Sequence, residues 1–166
     1  MPDQRIEVDE VPEQTADTTV RQPVQVSPIG YVMTDYARPE EAPAQATENY
    51  REIGRVVVYD EYAEGLAGLE RWSHIWLVTW LHAQEDDQAT SMKCLPRGGT
   101  RGGPHRGVFS TRSPNRPSRL GMSLVRLVSV DGNVVHFHGV DLVNGTPVLD
   151  IKPWVRGTDI PPDLAF

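Results

Sequence analysis

The sequence predicts a mainly β protein: a single compact β-barrel-like domain of short strands with long loops and few short helices. Three observations carry this. Apolar residues come in short runs rich in Val, Ile, Tyr and Trp, as strands require. Two dipeptides that supply positive φ, Asp131-Gly132 and Asn144-Gly145, separate such runs. No stretch keeps a 3.6-residue apolar period long enough for a substantial helix. A sheet of short strands has edges to protect, and closing it into a barrel removes them.

The chain has 166 residues, enough for one hydrophobic core, and 39% of them are hydrophobic. Residues 1–22 carry six acids and two arginines and few large apolar groups. They are expected to form an acidic, disordered tail, because so little apolar surface cannot offset the entropy of ordering. The barrel domain is expected to occupy residues 23–166.

Taken in order, "PVQVSPIGYVMT" (23–34) reads as a strand interrupted near Pro28 and Gly30. Residues 35–51 hold two prolines and little periodicity, and read as a long loop with at most one helical turn. "EIGRVVVYDEY" follows as a strand through Val56–Val58. "AEGLAGLERW" is a short helix or turn between glycines. "SHIWLVTWLHA" (73–83) is the most apolar stretch and reads as a central strand buried on both faces, with Trp72, Trp76 and Trp80 in the core. Residues 84–106 form polar and then basic, glycine-rich loops. Met122–Val130 and Val134–Val140 are two strands of a hairpin turning at "DGN". Short strands are expected around Val143 and from Val148 to Ile151.

Charge and motifs narrow the chemistry. The formal net charge is −7, yet residues 93–130 carry eight bases and no acid. A local field of one sign attracts an anionic partner whatever the total. The densest part is "GVFSTRSPNRPSRLGMS" (107–123), with three arginines, two prolines and five hydroxyl residues in seventeen positions. No apolar run reaches the ~18 residues of a membrane span, and no secretory leader is seen. The only cysteine is Cys94, which excludes an internal disulfide and makes the cytoplasm the default location. No phosphate-binding glycine motif and no nucleophile elbow is present. His136 and His138 share a strand face without a third ligand, so no metal is expected. His74 and His82 bracket the apolar strand, roughly 26 Å apart at strand rise, too far for one site.

Four stretches, "SPIGYVMTDY", "YAEGLAGLERWSHIWLVTWLH", "RGVFSTRSPNRPSRLGMSLVRL" and "DLVNGTPVLDIKPW", resemble in this order the TsaA-like, TrmO-type family. The resemblance spans about residues 27–160. It implies a homodimeric β-barrel methyltransferase that binds S-adenosylmethionine and acts on tRNA. The reaction it implies is N6-methylation of threonylcarbamoyladenosine in the anticodon loop. Carried over residue by residue, it implies a cofactor site of Thr34, Asp35, Tyr36, Ser73, His74, Arg106, Arg116, Asp141, Leu142, Asn144, Gly145 and Thr146. Asp35 and Asp141 are candidate proton acceptors from the exocyclic amine, alongside backbone carbonyls of the "NGTP" turn. Arg97, Arg101, Arg112, Arg119 and Lys152 are candidate RNA contacts. Tyr36, Tyr50 and Trp154 are candidate stacking platforms.

Two departures stand out. The family's "RPNP" is "RPSR" here, with Ser118 and Arg119, and its "DGTP" is "NGTP", with Asn144 for a carboxylate. The chain also stops near the end of the barrel, where many relatives continue. Two other readings therefore stay open: a methyltransferase of another small anionic substrate, and a non-catalytic S-adenosylmethionine- or RNA-binding module.

Overall fold

The computed structural model describes residues 23–43, 46–49, 51–84, 92–95 and 103–161. The expected tail of residues 1–22 lies outside them, as do Tyr50, Arg97 and Arg101. Among the described residues there are eight strands: β1 (Gly30–Met33), β2 (Ile53–Val58), β3 (His74–Trp80), β4 (Lys93–Cys94), β5 (Arg106–Gly107), β6 (Leu120–Asp131), β7 (Val134–His138) and β8 (Pro147–Pro153). Six of them close a barrel in the order β1-β2-β7-β6-β3-β8, every pair antiparallel. β4 and β5 form a separate two-stranded ladder.

Alternation fills the interior. Val32, Val56, Val58, Ile75, Leu77, Val125, Val135, Phe137, Val140 and Val148 are buried and form one cluster. All but Val140, which follows β7, face inward at every second position of their strands, as the pleat dictates. β2 and β7 meet where Gly54 lies opposite Phe137. A Cβ at residue 54 would stand 2.6 Å from the Phe137 ring and 2.8 Å from Val140, so the ring needs that glycine. β6 and β7 turn at Asp131-Gly132, where Gly132 takes φ 58°. A bulge between Leu127 and Ser129 bends β6.

Several expectations are corrected in detail. Of residues 23–34 only Gly30–Met33 form a strand; Val24 and Val26 lie exposed outside it. Pro28 has no N–H to give to a ladder and breaks the run. β3 is buried on one face, not two: Ile75, Leu77 and Thr79 point into the barrel, and Trp76 is half-buried outside. The tryptophans at even positions of β3 therefore lie outside the core, and Trp72 and Trp80 are 39% and 37% exposed. Val143 belongs to a turn and not to a strand. The helical turns are short: Ala46–Asn49, Asp60–Leu66, Leu69–Arg71, Val108–Ser110 and Arg156–Asp159. No helix among the described residues is long and apolar enough to cross a membrane.

Candidate active site

The antiparallel order brings four segments to one end of the barrel: the loop after β1, the residues after β3, the arginine hairpin before β6, and the turn before β8. The turn is held from both sides. Gly145, with φ 77°, donates its N–H to Val32 O at 2.8 Å, and Asn144 N–H donates to Tyr36 O at 2.8 Å. Thr146 Oγ1 donates to Val143 O at 2.6 Å. Thr34 Oγ1 donates to Leu142 O at 3.0 Å, and Thr34 N–H donates to Asn144 Oδ1 at 3.2 Å. That last bond accounts for the Asn144 departure. The position needs a side-chain acceptor, and an amide oxygen supplies it as a carboxylate does.

The hairpin is braced by its own arginine. Arg116 Nε donates to Ser113 O at 2.9 Å, and Nη2 donates to Thr111 O at 2.7 Å. Thr111 Oγ1 closes a further turn on Val108 O at 3.0 Å, and Val108 is fully buried. Arg119 takes φ 49°, a left-handed conformation closed to proline, whose ring holds φ near −65°. The "RPSR" loop thus follows a backbone path that "RPNP" cannot take. Arg119 O accepts Leu81 N–H at 2.8 Å, which ties the hairpin to the end of β3.

Two adjoining cavities open between these segments. The first, about 270 Å³, is walled by Pro39, Glu40 and Ala42, by Leu81–Gln84, by Pro114, and by Asp141–Val143 with Thr146. The second, about 180 Å³, is walled by Thr111–Pro114 and Arg116, by Leu120–Ser123, and by Leu81, Asp141 and Leu142. Leu81, Pro114, Asp141 and Leu142 belong to both. Asp141 stands on the shared wall and accepts a hydrogen bond from Ser123 Oγ at 2.9 Å. The ionisable residues of the first cavity are Glu40, His82 and Asp141; those of the second are Arg112, Arg116 and the shared Asp141.

Tyr36 does not face either cavity through its hydroxyl. That hydroxyl donates to Glu52 Oε2 and accepts from Asn49 Nδ2 at 2.8 Å. The bond to Glu52, with burial added, raises the Tyr36 pKa to about 12. The same bond, with the one from Asn49, holds the Glu52 carboxyl below its ordinary value.

The residues expected from sequence divide accordingly. Arg112, Arg116, Asp141, Leu142 and Thr146 line the cavities, and Thr34, Tyr36, Asn144 and Gly145 build the wall behind them. Ser73 and His74 stand at the other end of β3. His74 Nδ1 lies 3.0 Å from Ser73 Oγ, and the His74 ring meets Trp154 edge-on with centroids 6.1 Å apart. Trp154 is therefore no platform at the cavities. Asp35 and Arg106 are exposed and line neither cavity; Arg106 sits in the β4–β5 ladder. Lys152 is 66% exposed on β8 and pairs with Asp150 at 2.8 Å, a surface ion pair and not a buried one. His136 and His138 do share a face of β7; among the described residues no three His, Cys, Asp or Glu side chains gather as a metal site. Sequence reasoning missed Glu40, His82 and Ser123. His82 was visible as the polar residue just past β3, and β3's length alone decides that it, and not His74, reaches the cavity.

A closed antiparallel barrel with two adjoining cavities under an arginine-bearing loop defines a small single-barrel β domain with a charged cleft at one end. Residues 31–160 match the model of the tRNA-methyltransferase O N-terminal domain, and the chain belongs to that family. It is 35% identical over 136 residues to a probable S-adenosyl-L-methionine-binding protein of Methanothermobacter thermautotrophicus, covering 82% of this chain and 93% of that protein. It is 33% identical over 141 residues to the human tRNA (adenine(37)-N6)-methyltransferase, covering 82% of this chain and 31% of that enzyme. The crystal structure of TrmO from Pseudomonas aeruginosa superposes with a TM-score of 0.69 at 34% identity, covering 87% of this chain and 61% of that one. The chain thus spans nearly all of the archaeal relative and about a third of the human enzyme.

Proposed function

We propose that the chain is an S-adenosylmethionine-dependent methyltransferase that methylates N6 of threonylcarbamoyladenosine beside the tRNA anticodon. The observation that carries this is the pair of cavities sharing Asp141. Their linings suit the donor. Leu81, Pro114, Leu142 and Val143 offer apolar walls for a purine, Glu40 and Asp141 offer anions to a sulfonium and an ammonium, and Arg116 offers a cation to a carboxylate. S-adenosylmethionine supplies a sulfonium-activated methyl group, transferred by in-line displacement with no covalent enzyme intermediate. The protein's part is to hold donor and acceptor in line and to exclude water. Leu142, Asn144, Gly145 and Thr146 form the cofactor turn, Thr34 and Tyr36 support it, and His82, past the end of β3, lines the cavity that His74 does not reach. Asp141 accepts the proton shed by the exocyclic amine. Asp35, Ser73, His74, Arg106 and Lys152 line neither cavity.

Arg112 and Arg119, with Arg97 and Arg101, bind tRNA phosphates. An unstacked adenosine of the anticodon loop enters beside the hairpin. The protein works as a homodimer in the cytoplasm. Light scattering on the full chain reads the oligomeric state directly.

The test is transfer of labelled methyl to total tRNA from a strain lacking its own enzyme. Label is expected on the modified adenosine beside the anticodon. Label appearing only on small metabolites would overturn the tRNA assignment. Arg112→Ala is expected to weaken tRNA binding several-fold and to reduce the slope of log K against log salt by about 1. An unchanged slope removes Arg112 from the phosphate contacts.

A further inference from the structure

Three groups from one stretch of chain meet behind the first cavity: Tyr36 from the loop after β1, Asn49 at the end of a helical turn, and Glu52 just before β2. The Glu52 carboxylate accepts from both the Tyr36 hydroxyl and Asn49 Nδ2. Asn49 Nδ2 also lies 2.8 Å from the Tyr36 oxygen and 3.5 Å from Val140 O. All three are half-buried, so these bonds are sheltered from water on one side. They join two walls of one cavity. Tyr36 precedes Pro39, Glu40 and Ala42, and Val140 precedes Asp141–Val143. The backbone of Tyr36 is itself the acceptor for Asn144 N–H.

We infer that Glu52 is a positioning residue that sets donor affinity by locking the Tyr36 loop against the 140–146 turn. This rests on the donor occupying the first cavity. Glu52 does not line either cavity, so it acts through Tyr36 and Asn49. Hydrogen bonds to a charged acceptor are the stronger kind, and a network of them in sheltered surroundings fixes geometry that one bond cannot. A wall held in place before binding lowers the ordering cost at binding. The effect falls on affinity and not on transfer, because Asp141 and the arginine hairpin are held by other bonds.

The experiment titrates the full chain calorimetrically with S-adenosylmethionine. Wild type is expected to take one donor per chain. Tyr36→Phe and Glu52→Ala are expected to raise the dissociation constant about tenfold at unchanged stoichiometry. S-adenosylhomocysteine should weaken by the same factor, since the wall is shared and the charge of the ligand is not what changed. Glu52→Gln, which keeps an acceptor oxygen, should show a smaller rise. Turnover at saturating donor should stay at the wild-type value for the two Glu52 variants. Wild-type constants in both variants would overturn the inference, and so would a loss of sites per chain at unchanged affinity, which marks a role in folding alone. A wild type that takes no donor overturns the cofactor reading itself, and does so before any variant is made.

Discussion

Asp141→Asn is expected to lower the methyl-transfer rate at saturating donor and tRNA by about a hundredfold, the lower range for loss of a positioned proton acceptor. Asparagine keeps the shape of the side chain and can still accept from Ser123 Oγ, so the turn should stay in place. What is lost is a negative charge on the wall common to both cavities, and with it a base within reach of either. An exocyclic amine attacks as a neutral group and must shed a proton once the new bond forms. A carboxylate at the junction of donor and acceptor takes that proton; an amide does not. Donor binding should weaken far less than turnover, because the rest of the turn is held by backbone bonds. Single-turnover rates at saturating donor and tRNA give the decisive readout. A variant within a few-fold of wild type would move the proton to the carbonyls of the 143–146 turn.

The largest stability effect is expected at Phe137. Its ring is fully buried at the centre of the barrel, where β2, β6 and β7 meet. Phe137→Ala is expected to cost about 3–5 kcal/mol, transfer of the ring plus the cavity it leaves. That is a large share of the roughly 5–15 kcal/mol typical of a whole domain. Gly54→Ala alone should also destabilise, by about 1–3 kcal/mol, because its methyl would stand 2.6 Å from the ring. The double variant should be less destabilised than the two losses added, since the methyl then occupies space the ring has left. Urea unfolding of all four proteins measures this. Strict additivity would mean that Gly54 is kept for a reason other than the ring.

How far the fold could be read from sequence depends on what each signal encodes. β2, β3, β6 and β7 were readable because β-branched runs and the Asp131-Gly132 turn encode local conformation. The side on which β3 buries its residues was not. Ile75, Leu77 and Thr79 face inward while Trp76 and Trp80 face out, and both sets are of types found in cores. Only the pairing of β3 with β6 and β8 decides between them. The arginine hairpin and the Asn-Gly turn were legible as motifs, and their meeting at one end follows from strand order. Glu52 carried no signal, because its partners lie in a loop without periodicity and its effect on the cavity passes through Val140, some ninety residues on. His74 enters the expected site through the resemblance alone, which matches Ser73-His74 to a family pair, and His82 matches nothing. In the barrel that pair sits seven strand residues from the end that matters.

The placement of the donor at that end is tested most directly by amide chemical-shift mapping of the full chain titrated with S-adenosylmethionine. Shifts are expected at Leu81–Gln84, at Ser113–Arg116 and at Asp141–Thr146, with Ser73, His74 and Trp154 unmoved. Shifts confined to Ser73, His74 and Trp154 would put the donor at the opposite end of the barrel and contradict the site.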